Sequence, residues 1–181
     1  AVFASVIALG AIVKYTGVVS EVALLKAVLS RVPRGTEEKN KAALCDKYNL
    51  DVNKPLIVFI GRLVGEKAAD ILPAAIQHAL DVTNCGANFF IIGAGETPIE
   101  SALSYLVQLY PGHYNTWIGY DEQIGHEAYA AADFLLMPSR VEPCGLNQMY
   151  SLRYGTVPMV RDTGGLHDTV IDMGDPGGFG I

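Results

Sequence analysis

Three charged side chains are spaced for work on a phosphorylated ligand. Arg62 and Lys67 stand five residues apart in Gly61-Arg-Leu-Val-Gly-Glu-Lys67, directly after the apolar run Leu56–Ile60. An arginine offers a planar fork of donors and a lysine a compact point charge, so the two can hold one diphosphate between them. The same residues also fit a solvated cluster in which Lys67 bonds to Glu66 or Asp70, and both readings stand on these residues alone. Glu142 is the third. It lies in Pro138-Ser-Arg-Val-Glu-Pro-Cys-Gly-Leu146, between the apolar run Asp133–Met137 and a helical pattern that starts near Leu146. Pro138 and Pro143 stiffen that turn, and Gly145 lets the backbone approach a ligand closely. The first turn of the following helix leaves N–H groups free, which favours an anion at that point. Cys144 has the helix-start position that stabilises a thiolate, but no histidine is placed by the sequence to act as its base, and packing under the loop is the default.

Two further loops follow apolar runs. Gly93-Ala-Gly-Glu96 resembles the opening of a dinucleotide fingerprint, but Pro98 occupies the place of the third glycine and no acidic residue ends a second strand at the expected distance. Its glycines face either a nucleotide or the neighbouring helix. In Gly119-Tyr-Asp-Glu122, Asp121 is placed to cap a helix, with Tyr120 either packing as that helix's staple or offering its ring face to a base.

The elements that must position these loops alternate. Leu56–Ile60, Asn88–Ile92, Thr116–Ile118, Phe134–Met137 and Val157–Val160 read as buried strands, and Ala68–Val82, Pro98–Tyr110, Asp121–Ala132 and Leu146–Tyr154 as helices between them. Such alternation predicts an α/β fold, a Rossmann-like parallel sheet with helices on both faces and right-handed crossovers. Ligands of such sheets bind at the carboxyl ends of the strands, where the loops just described lie. Upstream, residues 1–13 are strongly apolar yet shorter than the about 20 residues a membrane-spanning helix needs, and no basic leader precedes them. Val18–Val32 has the periodicity of a helix with one buried face, and Glu37–Tyr48 reads as a second, more polar helix. The expected division is a segment of uncertain placement over 1–40 and a Rossmann-like domain over 41–181. A first residue other than Met and an ending on Gly-Phe-Gly-Ile lead to the expectation of a fragment.

Composition narrows the classes. With 181 residues, 50% hydrophobic and 18% charged, the chain can bury a sizeable core, and a formal charge of −6 argues against a general nucleic-acid or anionic-membrane surface. The three cysteines are far apart with no C-x-x-C pair, so neither a disulfide framework nor a zinc site is expected, and a reducing cytoplasm fits best. The four histidines lie beside no cluster at metal-ligand spacing, and no metal or cofactor is expected.

Taken in order, Ser139-Arg-Val-Glu-Pro-Cys-Gly-Leu-Asn-Gln-Met149, Arg153-Tyr-Gly-Thr156 and Thr163-Gly-Gly-Leu-His-Asp-Thr-Val170 resemble the C-terminal domain of bacterial glycogen synthases and plant starch synthases, from about Lys41 to Ile181. The resemblance implies a retaining glycosyltransferase of the two-Rossmann-domain (GT-B) type, moving glucose from ADP-glucose to the nonreducing end of an α-1,4-glucan, with 41–181 as the nucleotide-sugar-binding domain and the chain as a fragment of that larger two-domain enzyme. By matching positions it implies that Arg62 and Lys67 bind the diphosphate and that Glu142 lies beside the donor sugar. It implies that Cys144, Gly145 and Leu146 bring backbone N–H groups to the phosphates, that Tyr120 stacks on the adenine, and that Thr163, Gly164 and Gly165 face the donor. Glu142 is not a nucleophile in this scheme, because a lone carboxylate without a partner acid cannot run the two-carboxylate mechanism. Three positions depart from the pattern: Ala68 stands where glycine is common, which implies a helix starting earlier; Asn147 replaces threonine; and Tyr150, eight residues after Glu142, occupies a place that often holds a second glutamate. The glucan acceptor surface belongs to the family's N-terminal domain, whose motifs do not occur here, so an inactive isolated domain is expected. The alternative is a non-catalytic nucleotide-binding or regulatory module with the same fold.

Overall fold

The computed structural model describes residues 37–181, and the expectations for residues 1–36 lie outside it. Five strands, β1 (Leu56–Ile60), β2 (Asn88–Gly93), β3 (Tyr114–Ile118), β4 (Phe134–Met137) and β5 (Val157–Val160), form one sheet in the order β3-β2-β1-β4-β5. Every pairing is parallel. β1 is central: Leu56 to Ile60 pair with Asn88 to Ile92 on one side, and Ile57 and Val58 pair with Phe134 and Leu135 on the other. Helix α1 (Glu37–Tyr48) precedes the sheet, α2 (Leu72–Val82), α3 (Thr97–Leu109), α4 (Glu122–Ala131) and α5 (Asn147–Tyr154) connect its strands, and α6 (Gly164–Thr169) follows it.

Alternation along β1 divides the core in two. Leu56 and Val58 pack with Leu44 and Tyr48 of α1 and with Ile124, Ala128 and Tyr129 of α4. Phe59 packs on the opposite side with Ile76 and Leu80 of α2 and with Leu103 and Leu106 of α3. All six residues of β2 are buried, as expected where a parallel strand is covered on both faces. The expected α/β sheet with helices on both faces is therefore present.

Two expected boundaries move by more than one residue. The helix expected from Ala68 begins at Leu72, where Pro73 fits the first turn because its lacking N–H costs nothing there. Before it the chain makes two short 3₁₀ turns, Gly65–Lys67 and Ala69–Ile71, pivoting on Ala68 in the left-handed region at φ +54°. An L-residue with that φ interrupts a right-handed helix, so the alanine does not lengthen α2 as its helix propensity suggests. β3 starts at Tyr114 rather than Thr116, since Tyr114 pairs with Phe89 and is only 1% exposed. The Thr163–Leu166 turn continues into the short helix α6.

Beyond β1 and β2 the two chains stay in step. Gly61 N donates to Ile92 O, Leu63 N to Ala94 O and Glu96 N to Leu63 O, at 3.0, 2.9 and 2.9 Å. A Cβ at Gly93 would overlap the Gly61 carbonyl oxygen, and one at Gly95 the Leu63 carbonyl oxygen. These glycines therefore face the segment after β1 rather than the expected helix, and this backbone contact accounts for a fingerprint-like pattern without a dinucleotide. Gly93→Ala is expected to lower stability by about 1–3 kcal/mol in urea melts, the usual cost of forcing atoms into filled space. Gly65→Ala, with nothing within 4 Å of the added methyl, is the control and is expected to shift the midpoint little.

Candidate functional site

Because β1 and β4 are adjacent and parallel, the loops at their carboxyl ends open side by side. The loop after β4 is drawn onto the loop after β1 through its main chain, with Arg140 N and Val141 N donating to Glu66 O at 2.8 and 3.3 Å. The Arg140 side chain adds a fork: it donates to the two Asp70 carboxylate oxygens at 2.5 and 2.9 Å and to Gly65 O at 2.6 Å. This hydrogen-bonded guanidinium holds the Asp70 carboxyl below the usual carboxylate range, and Asp70 in turn raises Arg140.

Lys67 and Glu142 meet at the mouth of these loops. The Lys67 ammonium donates to Glu142 Oε2, and the Ser139 hydroxyl donates to the same oxygen at 3.1 Å. Their side chains are 20% and 10% exposed. A carboxylate so enclosed needs such donors, because desolvation without partners disfavours its charge. The solvated alternative for Lys67 is thus corrected: Glu66 and Asp70 are taken by Arg62 and Arg140, and Lys67 turns inward. Arg62 does match the solvated reading, bonding to Glu66 at 2.8 Å with both side chains mostly exposed.

The start of α5 completes this corner. Asn147 Nδ2 donates to Ile60 O at 2.6 Å, tying the helix to the end of β1; the departure from threonine at this position produces an amide contact to the backbone. Gly145, at φ +70°, is the turn into the helix, and the buried Gln148 amide donates to Cys144 O and Gly145 O at 3.1 and 3.2 Å and to Thr169 Oγ1 at 3.0 Å. Leu146 is the N-cap residue and offers no side-chain cap; Met149 N and Tyr150 N donate to Leu146 O, both at 3.0 Å, while the N–H groups of Asn147 and Gln148 keep their capacity for another acceptor. Cys144 is an exposed free thiol.

The turn at Thr163 closes on the same loop from the β5 side. Gly165 N donates to Glu142 O at 2.8 Å, and side chains at Gly164 and Gly165 would overlap the Glu142 and Cys144 carbonyl oxygens. Both glycines are thus required by backbone packing against the Glu142 loop.

Tyr120 stands apart from this cluster. It follows β3, two strands from β1, and is 90% exposed, so it does not pack as a staple; Asp121 does cap α4, accepting from Ile124 N at 3.0 Å. The structure thus brings Lys67, Glu142, Cys144, Gly145, Leu146, Gly164 and Gly165 into one corner, with Arg62 exposed beside it, while Tyr120 follows a strand two places from β1. Sequence reasoning missed the roles of Ser139, Arg140 and Gln148, although all three lie within the quoted motif. No group of three or more His, Cys, Asp or Glu among the described residues could hold a metal ion, and no helix among them is long and apolar enough to cross a membrane.

A parallel sheet covered by helices on both faces, with a lysine–glutamate pair at its carboxyl edge beside a helix start, is a Rossmann-like α/β domain, and the chain belongs to the family described as glycosyl transferases group 1, whose profile matches residues 40–178. Among its relatives, the glycogen synthase of Flavobacterium johnsoniae is 55% identical over 141 residues, covering 78% of this chain and 30% of the relative. The glycogen synthase of Alkalilimnicola ehrlichii is 47% identical over 139 residues, covering 74% of this chain and 28% of the relative. The solved catalytic domain of starch synthase IV from Arabidopsis thaliana, bound to ADP and acarbose, superimposes with a TM-score of 0.70 at 36% identity, over 81% of this chain and 31% of that one. The C-terminal domain of a glycosyl transferase group 1 protein from Francisella tularensis shares the fold, with a TM-score of 0.61 at 18% identity over 78% of this chain and 72% of that one. The resemblance to glycogen and starch synthases seen in the Glu142 motif is what these comparisons return. The chain spans about three-tenths of the length of its glycogen synthase relatives.

Lys67→Met leaves Glu142 with only the Ser139 hydroxyl among its hydrogen-bond donors in this corner. It is expected to cost about 1–3 kcal/mol, the range for stranding a largely buried polar group, in chemical denaturation at neutral pH. Lys67→Met combined with Glu142→Met is expected to recover part of that loss.

Proposed function

We propose that this chain holds the donor, ADP-glucose, of a glycogen or starch synthase that transfers glucose with retention to the nonreducing end of an α-1,4-glucan. The observation that carries the proposal is the Lys67–Glu142 pair at the sheet's carboxyl edge, beside the uncapped first turn of α5. Breaking a sugar–phosphate bond leaves a diphosphate of growing negative charge. Fixed cations and helix-end N–H groups aimed at that charge lower the barrier. Lys67 supplies one cation. Arg62 supplies the other: its exposed pair with Glu66 is worth at most about 1 kcal/mol, so a diphosphate competes for it readily.

Glu142, held by Lys67 and Ser139, orients sugar hydroxyls and stabilises positive charge developing at the anomeric carbon. The main chain from Cys144 to Leu146 meets the phosphates, and the turn at Thr163, Gly164 and Gly165 lies against the donor. Tyr120, with its ring in solvent, offers a flat apolar face to the adenine. The ADP named with the Arabidopsis structure supports the choice of base. The glucan is held by the remainder of such an enzyme, and the 181-residue chain by itself transfers no glucose.

Calorimetric titration tests this. ADP is expected to bind, with Arg62→Ala and Lys67→Ala each weakening it roughly tenfold or more, about 1.4 kcal/mol. Tyr120→Ala is expected to cost about 1–3 kcal/mol, the range for a base stacked on an aromatic ring. ADP affinity unchanged in both cation variants, or NAD binding insensitive to them, overturns the assignment, and glucosyl transfer by the chain alone overturns the division of labour.

A further inference from the structure

Arg140 has no part in the proposed donor chemistry, yet it joins the two loops on which that chemistry rests. Its main-chain N–H holds Glu66 O, while its guanidinium holds Gly65 O and both oxygens of Asp70. One residue therefore grips the turn Gly65–Lys67 on one flank and the next turn, Ala69–Ile71, on the other. Lys67 lies between these grips, and Glu142 lies two residues beyond Arg140 on the gripping loop.

Besides Arg140, the turn carrying Lys67 is held by main-chain bonds, Lys67 N to Val64 O at 3.0 Å and Val141 N to Glu66 O at 3.3 Å, and by the buried Ala68 and Ala69 that follow it. None of its three residues is buried, Glu66 points to solvent in its pair with Arg62, and Gly65 N reaches Glu96 only at 3.4 Å. Its exit is the left-handed Ala68, a conformation unfavourable for an L-residue that persists only when the surroundings impose it. Three of the five guanidinium N–H donors of Arg140 are already engaged, two of them in a bidentate pair with Asp70, the strongest geometry available to a guanidinium.

We propose that Arg140 and Asp70 form a positioning pair that sets Lys67 against Glu142 rather than binding the donor. Its consequence for donor binding rests on the function proposed above, whereas its geometry does not. Arg140→Lys keeps the charge but loses the fork, and Asp70→Asn keeps the shape but loses the charge, so each breaks the clamp with little change in volume.

The test is acetylation of the full 181-residue chain by an N-hydroxysuccinimide ester, with the rate at each lysine followed by mass spectrometry. In Asp70→Asn and Arg140→Lys, Lys67 is expected to label several-fold faster than in the parent chain, with Lys47 and Lys54 within twofold of their parent rates. An unchanged Lys67 rate in both variants overturns the proposal, as does a rise at Lys54 in step with Lys67, which would mean general loosening. Asp70 is partly exposed on a surface turn, so Asp70→Asn decides the matter if Arg140→Lys does not fold. Adding ADP to the parent chain separates the two ideas. Slower labelling of Lys67 supports the donor site, whereas no slowing counts against the donor site and leaves the unliganded rates to judge the clamp.

Discussion

The parallel placement of β1 between β2 and β4 is the constraint on which the site depends. Parallel neighbours end at the same edge, so the segments leaving β1, β2 and β4 must run together there. The chain meets this crowding in two ways. On the β2 side glycines remove side chains, so that the two backbones lie in contact and continue their hydrogen bonding past the sheet. On the β4 side charged residues cross between loops, and that difference makes one side packing and the other chemistry.

Charge in the corner is partitioned by exposure. Arg62 with Glu66 lies in water, where an ion pair contributes little and exchanges readily. Lys67 with Glu142 is largely enclosed, where breaking the pair is expensive because neither group regains full hydration. Arg140 with Asp70 is intermediate in exposure but geometrically the most constrained, since a planar fork meets two carboxylate oxygens. The three cations thus differ in how firmly each is held: Arg62 by one exposed carboxylate, Lys67 in an enclosed pair, and Arg140 by a two-pronged bond.

The family assignment and the geometry account for each other at Glu142. The family profile, which matches residues 40–178, spans the Glu142 loop, the start of α5 and the glycine turn at Thr163. In this structure those three pieces touch through main-chain atoms. Main-chain packing of this kind tolerates no added side chain at Gly164 or Gly165, which is a physical reason for the motif's form. Ala68 shows the converse, a place where the local backbone asks for glycine and this chain does without it.

The sequence by itself determined the strands and the class of fold. Leu56–Ile60, Phe134–Met137 and Val157–Val160 are apolar runs whose ends are marked by glycine, proline or a charge, and an element bounded by such local chemistry is legible without its neighbours. Asp121 was legible as a cap for the same reason, its bond reaching only three residues ahead. Partners across long separations were decided by the tertiary structure alone. Lys67 had two carboxylates close by in sequence, yet it bonds to Glu142, 75 residues away, because Arg62 and Arg140 engage the nearer ones. Ala68 followed the same logic: its propensity suggests helix, but the turn that brings Lys67 to Glu142 holds it left-handed. Local propensities are set by a residue's own atoms, whereas the choice among competing ion pairs depends on which loops the sheet order brings side by side.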